Sequence, residues 1–271
     1  MRIGTRGSAL ALAQARLADA ALGGRHEIVP ITTAGDRDRA AEDKAKWVRE
    51  LERALLAGEI DVAVHSAKDV PSELPDGLAL VGALEREDPR DALCGRLAGR
   101  IGTSSPRRAA QLRATVEDVE VVEVRGNVDT RLRKLADGEY DGLVLAAAGL
   151  KRLGREEDID ALLDLVPAAG QGVVVLEGRA GLDVGLDGGP TWDCLRAERA
   201  VVRDLEADCH SAVGALAVPG ELHGLVLRAW VGARDGSAWV TDELRGDDPE
   251  ALGTLVAGRL LAAGAGELLG P

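Results

Sequence analysis

The chain reads His65-Ser66-Ala67-Lys68-Asp69-Val70-Pro71 directly after the alternating apolar run Ile60–Val64. The run predicts a half-buried β-strand, because successive side chains of a strand point to opposite faces. Pro71 lacks a backbone N–H, so we expect the polar residues to lie where the strand leaves its sheet. Ligands of open α/β sheets bind at such carboxyl ends, where an acid beside a base can move protons or stabilise charge. This stretch is therefore the first candidate active site.

A lysine and an aspartate after a strand are also typical of a solvated turn, so this motif alone is weak evidence. Further polar motifs follow other predicted strands, at Arg6-Gly7-Ser8, at Thr103–Arg108 and at Arg125-Gly126-Asn127. Helix N-termini carry unpaired N–H groups and partial positive charge, and arginine adds bidentate hydrogen bonds to carboxylates and phosphates. Together these motifs indicate a cleft that binds an anionic small molecule.

Strands alternate with helices in two successive halves, which predicts an α/β fold with mostly parallel sheets. In the first half, Ser8 is a good N-cap for a helix over Ala9–Leu22, and apolar residues at helical spacing predict a second helix over Lys46–Ala57. In the second half, Ser105 before Pro106 is a strong helix start. Further strands are predicted at Glu27–Thr32, Arg100–Thr103, Val119–Val124 and Gly142–Ala146, with a helix over Thr130–Asp137.

Two segments mark candidate domain boundaries. Pro167–Gly172 is a hinge-like linker into a strand over Val173–Leu176, and Asp187–Pro190 precedes a region of different character. That last region predicts a helix over Trp192–Leu205, a hairpin with its turn at Arg234–Ser237, and a helix capped by Asp248-Pro249. We therefore predict two α/β domains, 1–86 with 172–188 and 87–171, and a small α+β domain over 189–271.

Composition narrows the class of protein. The net charge of −13 over 271 residues argues against nucleic acid or anionic membranes as partners. No apolar run approaches the roughly 20 residues that cross a bilayer. The N-terminal residues have no apolar signal-peptide core, and three widely spaced cysteines fit a reducing compartment but no metal-ligand spacing. We expect a cytoplasmic protein without a metal.

In chain order the motifs resemble the porphobilinogen deaminase family, also called hydroxymethylbilane synthases. The segments His65–Pro71, Gly102–Arg108 and Arg125–Leu132 are specific for that family. The other matching segments are Arg2–Ala15, Glu50–Pro71, Glu85–Ala92, Ile101–Leu112, Leu145–Gly154, Pro167–Gly172 and, more weakly, Glu198–Gly214. The resemblance therefore covers almost the whole chain.

The resemblance implies a fold and an activity. Two domains would be similar to periplasmic binding proteins, and a third would carry a dipyrromethane cofactor attached by a thioether to Cys209. Porphobilinogen units would be added head to tail, each losing ammonia, until a linear tetrapyrrole is hydrolysed off. Nucleic acid and membranes would not be partners, and the chain is expected to be a monomer.

The resemblance also implies roles for single residues. Asp69 would be the catalytic aspartate, which faces pyrrole N–H groups and stabilises the cationic azafulvene formed on deamination, as expected of electrostatic catalysis. The residues implied to hold the acetate and propionate groups of the cofactor are Lys44, Ser66, Lys68, Thr103, Ser105, Arg107, Arg108 and Arg131. Those implied to hold the substrate or the growing chain are Arg6, Ser8, Arg125 and Arg152.

Three features depart from the family pattern. The run Arg37–Lys46 after Thr33–Asp36 is short and lacks glycine, Asp208 stands where glycine usually precedes the cysteine, and Ala212 replaces a usual proline. A carboxylate beside Cys209 disfavours the thiolate that acts as nucleophile. These departures leave a second hypothesis open, a non-catalytic paralogue that binds anionic small molecules but never loads the cofactor. A periplasmic solute-binding module also fits the pattern without the resemblance, but the missing export signal counts against it.

The remaining cysteines and the histidine of the motif have simpler interpretations. Cys94 in an apolar strand and Cys194 on a helix are predicted to be core residues, since free cysteine is among the most buried residue types. His65 is predicted to hold the strand end in place rather than to transfer protons. Trp47 is predicted to pack in the cleft wall, where the family usually has Phe.

Overall fold

A computed structural model describes residues 1–32, 45–186, 188–208 and 210–269, without the side chains of 45–47. The chain forms two compact units, Met1–Glu87 with Gly172–Trp192 and Asp88–Gln171 with Asp193–Pro271. Each unit is built around its own sheets and cores, so each is described by itself.

The first unit is an α/β unit with one five-stranded sheet. Its strands are β1 (Arg2–Arg6), β2 (Glu27–Ile31), β3 (Val62–Ser66), β4 (Leu78–Ala83) and β10 (Val174–Arg179). Helix α1 (Ala9–Ala21) and helix α2 (Ala45–Leu56) join them, and a 3₁₀ turn over Ala67–Asp69 follows β3. The described apolar positions of α2, Val48, Leu51 and Leu55, are buried as the helical spacing predicts.

The prediction of mostly parallel sheets is wrong, because the sheet is mixed. The strand order is β2-β1-β3-β10-β4, with β1 parallel to β2 and β3, and β10 antiparallel to β3 and β4. Strand β10 follows the α/β part of the second unit in the sequence and only then pairs with β3 and β4. The local alternation of strands and helices therefore does not predict the direction of β10. The pairing of Val174 with Ser66 also extends β3 two residues beyond the predicted end at Val64.

The second unit contains a five-stranded sheet of the same design. Its order is β7-β6-β8-β5-β9, with β6 parallel to β7 and β8, and β5 antiparallel to β8 and β9. The strands are β5 (Asp91–Gly95), β6 (Gly99–Gly102), β7 (Val119–Val122), β8 (Gly142–Ala146) and β9 (Ala161–Leu163). The helices are α3 (Pro106–Thr115), α4 (Val128–Ala136) and α5 (Ala147–Arg152), with a 3₁₀ turn over Glu156–Asp158.

The second unit also contains an antiparallel three-stranded sheet, β11-β12-β13. The strands are β11 (Val213–Pro219), β12 (Leu225–Gly232) and β13 (Trp239–Gly246). The hairpin turn at Arg234–Ser237 predicts a return strand over Ala238–Val240 only, so β13 is longer than predicted. Helices α6 (Gly189–Asp204), α7 (Pro249–Ala262) and α8 (Ala265–Leu269) complete this α+β part. Residues of α6 and α7, among them Val201 and Val256, share its core with Leu227 of β12.

The helix starts follow from capping chemistry. The side chains of Ser8, Ser105 and Asp248 accept hydrogen bonds from backbone N–H groups of the first turns of α1, α3 and α7, as predicted. Asn127 does the same for α4, accepting from the N–H of Thr130 at 2.9 Å, so this helix begins before the predicted position. Polar side chains that follow strands thus set the starts of the helices that leave the sheets.

The predicted fold class is confirmed: two α/β domains accompany a small C-terminal α+β domain. Cys94 and Cys194 lie in separate apolar cores, as predicted, and burial raises the pKa of the Cys94 thiol to about 12. Within the described ranges, no helix combines the length and the apolar character that crossing a bilayer needs.

Candidate functional site

The first unit brings two of the predicted motifs to one edge of its sheet. Strands β1 and β3 are parallel neighbours, so Arg6 and Ser66 end them at the same edge, and Ser8 begins α1 just beyond. The buried side chain of Gln14 on α1 reaches across and contacts the Ser66 hydroxyl, Nε2 to Oγ 2.7 Å. The edge is therefore a connected polar surface, as the sequence predicted for carboxyl ends of parallel strands.

The 3₁₀ turn over Ala67–Asp69 places the lysine and the aspartate at this edge. The Ala67 N–H donates to the Val173 carbonyl at 3.0 Å and the Val70 N–H donates back to the Ala67 carbonyl at 3.2 Å. Lys68 and Asp69 are both half-buried. A carboxylate held in this way keeps an accessible face in a partly desolvated setting, where its field acts more strongly than in bulk water.

The second unit repeats the arrangement at the carboxyl ends of its parallel strands β6, β7 and β8. Buried Thr103 follows β6, its N–H donates to the Val122 carbonyl at 3.0 Å, and its hydroxyl accepts from the N–H of Ser105 at 3.2 Å. The Ser105 hydroxyl in turn accepts from the Arg108 N–H at 3.4 Å as the N-cap of α3. Both residues thus shape the start of α3, where partial positive charge favours anions.

Arg131 is the arginine whose surroundings most favour an anionic ligand. Its Nε donates to the Gly126 carbonyl at 2.8 Å and its Nη2 to the Ser104 hydroxyl at 2.9 Å, and the described residues place no carboxylate within ion-pair distance. Burial, together with the neighbouring charge of Arg108, lowers the pKa of Arg131 to about 10. A guanidinium that is desolvated beside a second one is stabilised by a bound anion.

Arg107 and Arg108 have a carboxylate partner within the protein, which the sequence analysis missed. Fully buried Asp91 accepts from Arg107 (Nη1 2.7 Å, Nη2 3.2 Å), from Arg108 (Nε 2.8 Å) and from Gln171 (Nε2 2.8 Å). The arginines also donate to the carbonyls of Val166 (2.8 Å) and Val144 (3.1 Å). Burial alone would raise the pKa of Asp91, but the two guanidinium groups outweigh it and hold that pKa far below its usual range.

In this cluster, two guanidinium groups share the carboxylate of Asp91. Its contacts do not test whether Arg107 and Arg108 also hold an external carboxylate, so that role stays a prediction. The signal that could have identified Asp91 is an acidic residue at the head of an otherwise apolar strand, Asp91–Gly95.

The other two predicted substrate arginines lie in more open settings. Arg125 is exposed, and its Nε contacts Oε1 of Glu123 at 2.7 Å. Arg152 is half-buried as the last residue of α5, the helix that follows β8. Both follow strands whose carboxyl ends lie at the same edge as Thr103.

Two predicted site residues, Lys44 and Cys209, lie outside the described residues, as does most of the short run Arg37–Lys46. The neighbours of Cys209 are described. The Asp208 carboxylate accepts from the His210 N–H and from the Ser211 hydroxyl, both at 2.9 Å. Burial raises the pKa of Asp208, but these hydrogen bonds outweigh it and lower that pKa, so the carboxylate is ionised at neutral pH. Ala212, where the family usually has proline, is buried against Val166 and Trp230.

Each of the two five-stranded sheets has hydroxyls, a helix N-terminus and arginine at the carboxyl ends of its parallel strands. This is the chemistry expected of the class of proteins that bind anionic small molecules. Comparison with known proteins narrows this class. Residues 1–184 match the family model "Porphobilinogen deaminase, dipyromethane cofactor binding domain", and residues 192–262 match "Porphobilinogen deaminase, C-terminal domain". The chain belongs to the porphobilinogen deaminase family.

Curated relatives agree with this assignment over nearly the full length. A porphobilinogen deaminase of Thermus thermophilus is 44% identical over 292 residues, covering 98% of this chain and 97% of that protein. One of Roseiflexus sp. is 46% identical over 299 residues, with coverages of 98% and 97%. Among solved structures, the chain is similar to the periplasmic VFT2 domain of Bordetella pertussis BvgS, at 17% identity and a TM-score of 0.39, covering 67% of this chain and 81% of that one.

Proposed function

We propose that this chain is a hydroxymethylbilane synthase, a transferase of tetrapyrrole and heme biosynthesis. It joins four molecules of porphobilinogen head to tail with loss of four molecules of ammonia, and one molecule of water releases the linear tetrapyrrole. The observation that carries the proposal is family membership over nearly the whole chain, combined with the half-buried Asp69 beside Lys68 at the carboxyl end of β3.

The described residues fit a cofactor that carries carboxylates. Arg131 makes its hydrogen bonds to the neutral Gly126 carbonyl and Ser104 hydroxyl, and the charge of the Arg108 guanidinium acts on it. When bound through Cys209, dipyrromethane supplies the pyrrole carbon to which the first substrate is joined. Its side-chain carboxylates would be held by Lys44, Ser66, Lys68, Thr103, Ser105, Arg107, Arg108 and Arg131.

The substrate adds further carboxylates at every step, so the growing chain needs further cationic hydrogen-bond donors. Arg6, Ser8, Arg125 and Arg152 would hold the incoming porphobilinogen or the growing chain. Asp69 would face the pyrrole N–H and stabilise the positive charge that develops when ammonia leaves. A carboxylate aimed at developing charge is the kind of preorganised electrostatics that lowers a reaction barrier most.

The cellular setting is part of the proposal. The acidic composition favours a small-molecule substrate over nucleic acid, and the widely spaced cysteines favour a reducing compartment such as the cytoplasm. We expect a monomer, organised as the three domains 1–86 with 172–188, 87–171 and 189–271. Size-exclusion chromatography with light scattering tests the oligomeric state.

The decisive experiment combines intact mass with turnover. Purified protein is expected to carry the mass increment of one dipyrromethane and to release ammonia from porphobilinogen. Protein that lacks the adduct even after incubation with porphobilinogen, and that produces no ammonia, would be the non-catalytic binding protein instead.

Asp69→Asn tests the assigned catalytic role. The variant is expected to retain the adduct but to lose most turnover, because the amide keeps the shape and removes the charge. Asp76→Asn, at an exposed position seven residues on, is the matched control and should keep wild-type turnover. Near-normal turnover of Asp69→Asn would remove this carboxylate from the mechanism.

A further inference from the structure

A buried ionisable pair lies directly before the segment that carries Asp69. His65 precedes Ser66 at the end of β3, and its Nε2 lies 3.1 Å from Oε2 of Glu177 on the neighbouring strand β10. The side chain of His65 is 5% exposed and that of Glu177 is not exposed at all. The antiparallel register opposes His65 to Val175, so the contact runs diagonally between two residues on one face of the sheet.

Glu177 has little other compensation for its burial. Among the described residues neither carboxylate oxygen accepts a hydrogen bond, and the contact with His65 is at ion-pair distance but outside hydrogen-bond angles. An ionised carboxylate buried without partners costs several kcal/mol. The imidazole is therefore the group that can neutralise Glu177 when it carries its proton.

A second buried carboxylic acid adjoins the pair from helix α2. Glu52 is 8% exposed, and burial, followed by repulsion from Glu177, raises its pKa, while His65 and the exposed Arg49 lower it. Strand β4 (Leu78–Ala83) contributes no ionisable side chain, and Arg6 lies on the same face of β1 by strand alternation. Glu52 thus adds a second carboxyl group beside Glu177 and no compensation for its burial.

Stability alone does not explain why such a cluster is present, because apolar side chains of similar volume are often as stabilising as a buried ion pair or more so. The position of the cluster next to Asp69 gives a different reason. The backbone that leaves His65 forms, within four residues, the turn that ends at Asp69. We propose that His65 and Glu177 are positioning residues for Asp69, fixing the end of β3 and with it the carboxylate.

This inference rests on the proposed function, because it uses the role of Asp69. The experiment is a double-mutant cycle of His65→Gln, Glu177→Gln and the double variant, with Glu59→Gln at an exposed position of the same unit as control. Three properties of each variant are measured: the cofactor content by intact mass, the free energy of unfolding, and the kinetic constants kcat and KM. Loss of the adduct or of turnover in the wild type would refute the proposed function and is distinguishable from any result on the variants.

Each single variant is expected to keep the adduct and a KM near the wild-type value while kcat falls roughly 10- to 100-fold, as small misplacements of catalytic groups do. The double variant should be no slower than either single variant, because residues that act as one unit are non-additive. Additive losses, a wild-type kcat in Glu177→Gln, or failure of both single variants to fold would overturn the inference.

Discussion

Asp91→Asn is expected to destabilise the second unit more than any single surface change. The carboxylate is fully buried and receives hydrogen bonds from Arg107, Arg108 and Gln171 at distances between 2.7 and 3.2 Å. The amide removes the negative charge and turns an N–H₂ group toward these donors. Removing one partner of a buried ion pair in this way costs about 3–5 kcal/mol of the free energy of unfolding.

The assay is urea denaturation at neutral pH, with a thermal scan beside it. At about 2–4 °C per kcal/mol, the expected loss corresponds to a midpoint lower by roughly 6–20 °C. Asp164→Asn is the matched control, because the Asp164 side chain is 93% exposed and contacts Arg228 at 3.4 Å. Exposed ion pairs contribute little, so this variant should unfold with the wild type.

The same substitution has a defined pH dependence. The pKa of Asp91 is lowered in the folded state, so its contribution is fully present above the unfolded pKa of about 3.9 and is lost as the pH falls toward the folded value. The difference between the wild type and Asp91→Asn should be constant from pH 7 to about 5 and should shrink below about pH 4. A difference under about 1 kcal/mol at neutral pH, against the 3–5 expected, would refute the buried-pair argument.

Two further predictions concern the α+β part of the second unit. Buried Glu198 accepts from the N–H groups of Gly170 (2.6 Å) and Ala217 (2.7 Å), one on each carboxylate oxygen. The amide of Glu198→Gln keeps one acceptor oxygen but turns its N–H₂ group toward the other donor, so the variant should lose about 1–3 kcal/mol in urea unfolding. Glu221→Gln at the surface should lose nothing measurable. Gly214→Ala would place a Cβ 2.5 Å from the Val166 carbonyl oxygen, so it should lower the midpoint of thermal unfolding, and an unchanged midpoint would contradict the close approach.

Local chemistry made much of the architecture predictable. Ser8, Ser105 and Asp248 cap their helices as predicted, because a cap depends on residues within a few positions in the chain. The carboxyl ends of β1 and β3 were predictable as a polar edge because the Arg6 and Asp69 motifs follow their strands directly. The directions of β5 and β10 were not, since their neighbours β8 and β3 are distant in sequence and strand direction is a property of the pairing.

The candidate site likewise has features that nearby residues set and features that distant contacts set. The amino-acid sequence by itself determined the polar motifs, the helix starts and, through the resemblance that those motifs carry, the family. Only the tertiary structure decided that Asp91 neutralises part of the Arg107 and Arg108 charge, and that Glu177 and Glu52 share a buried site with His65. The physical reason is burial: whether a charged side chain serves a ligand or a partner within the protein depends on contacts between segments that the sequence keeps far apart.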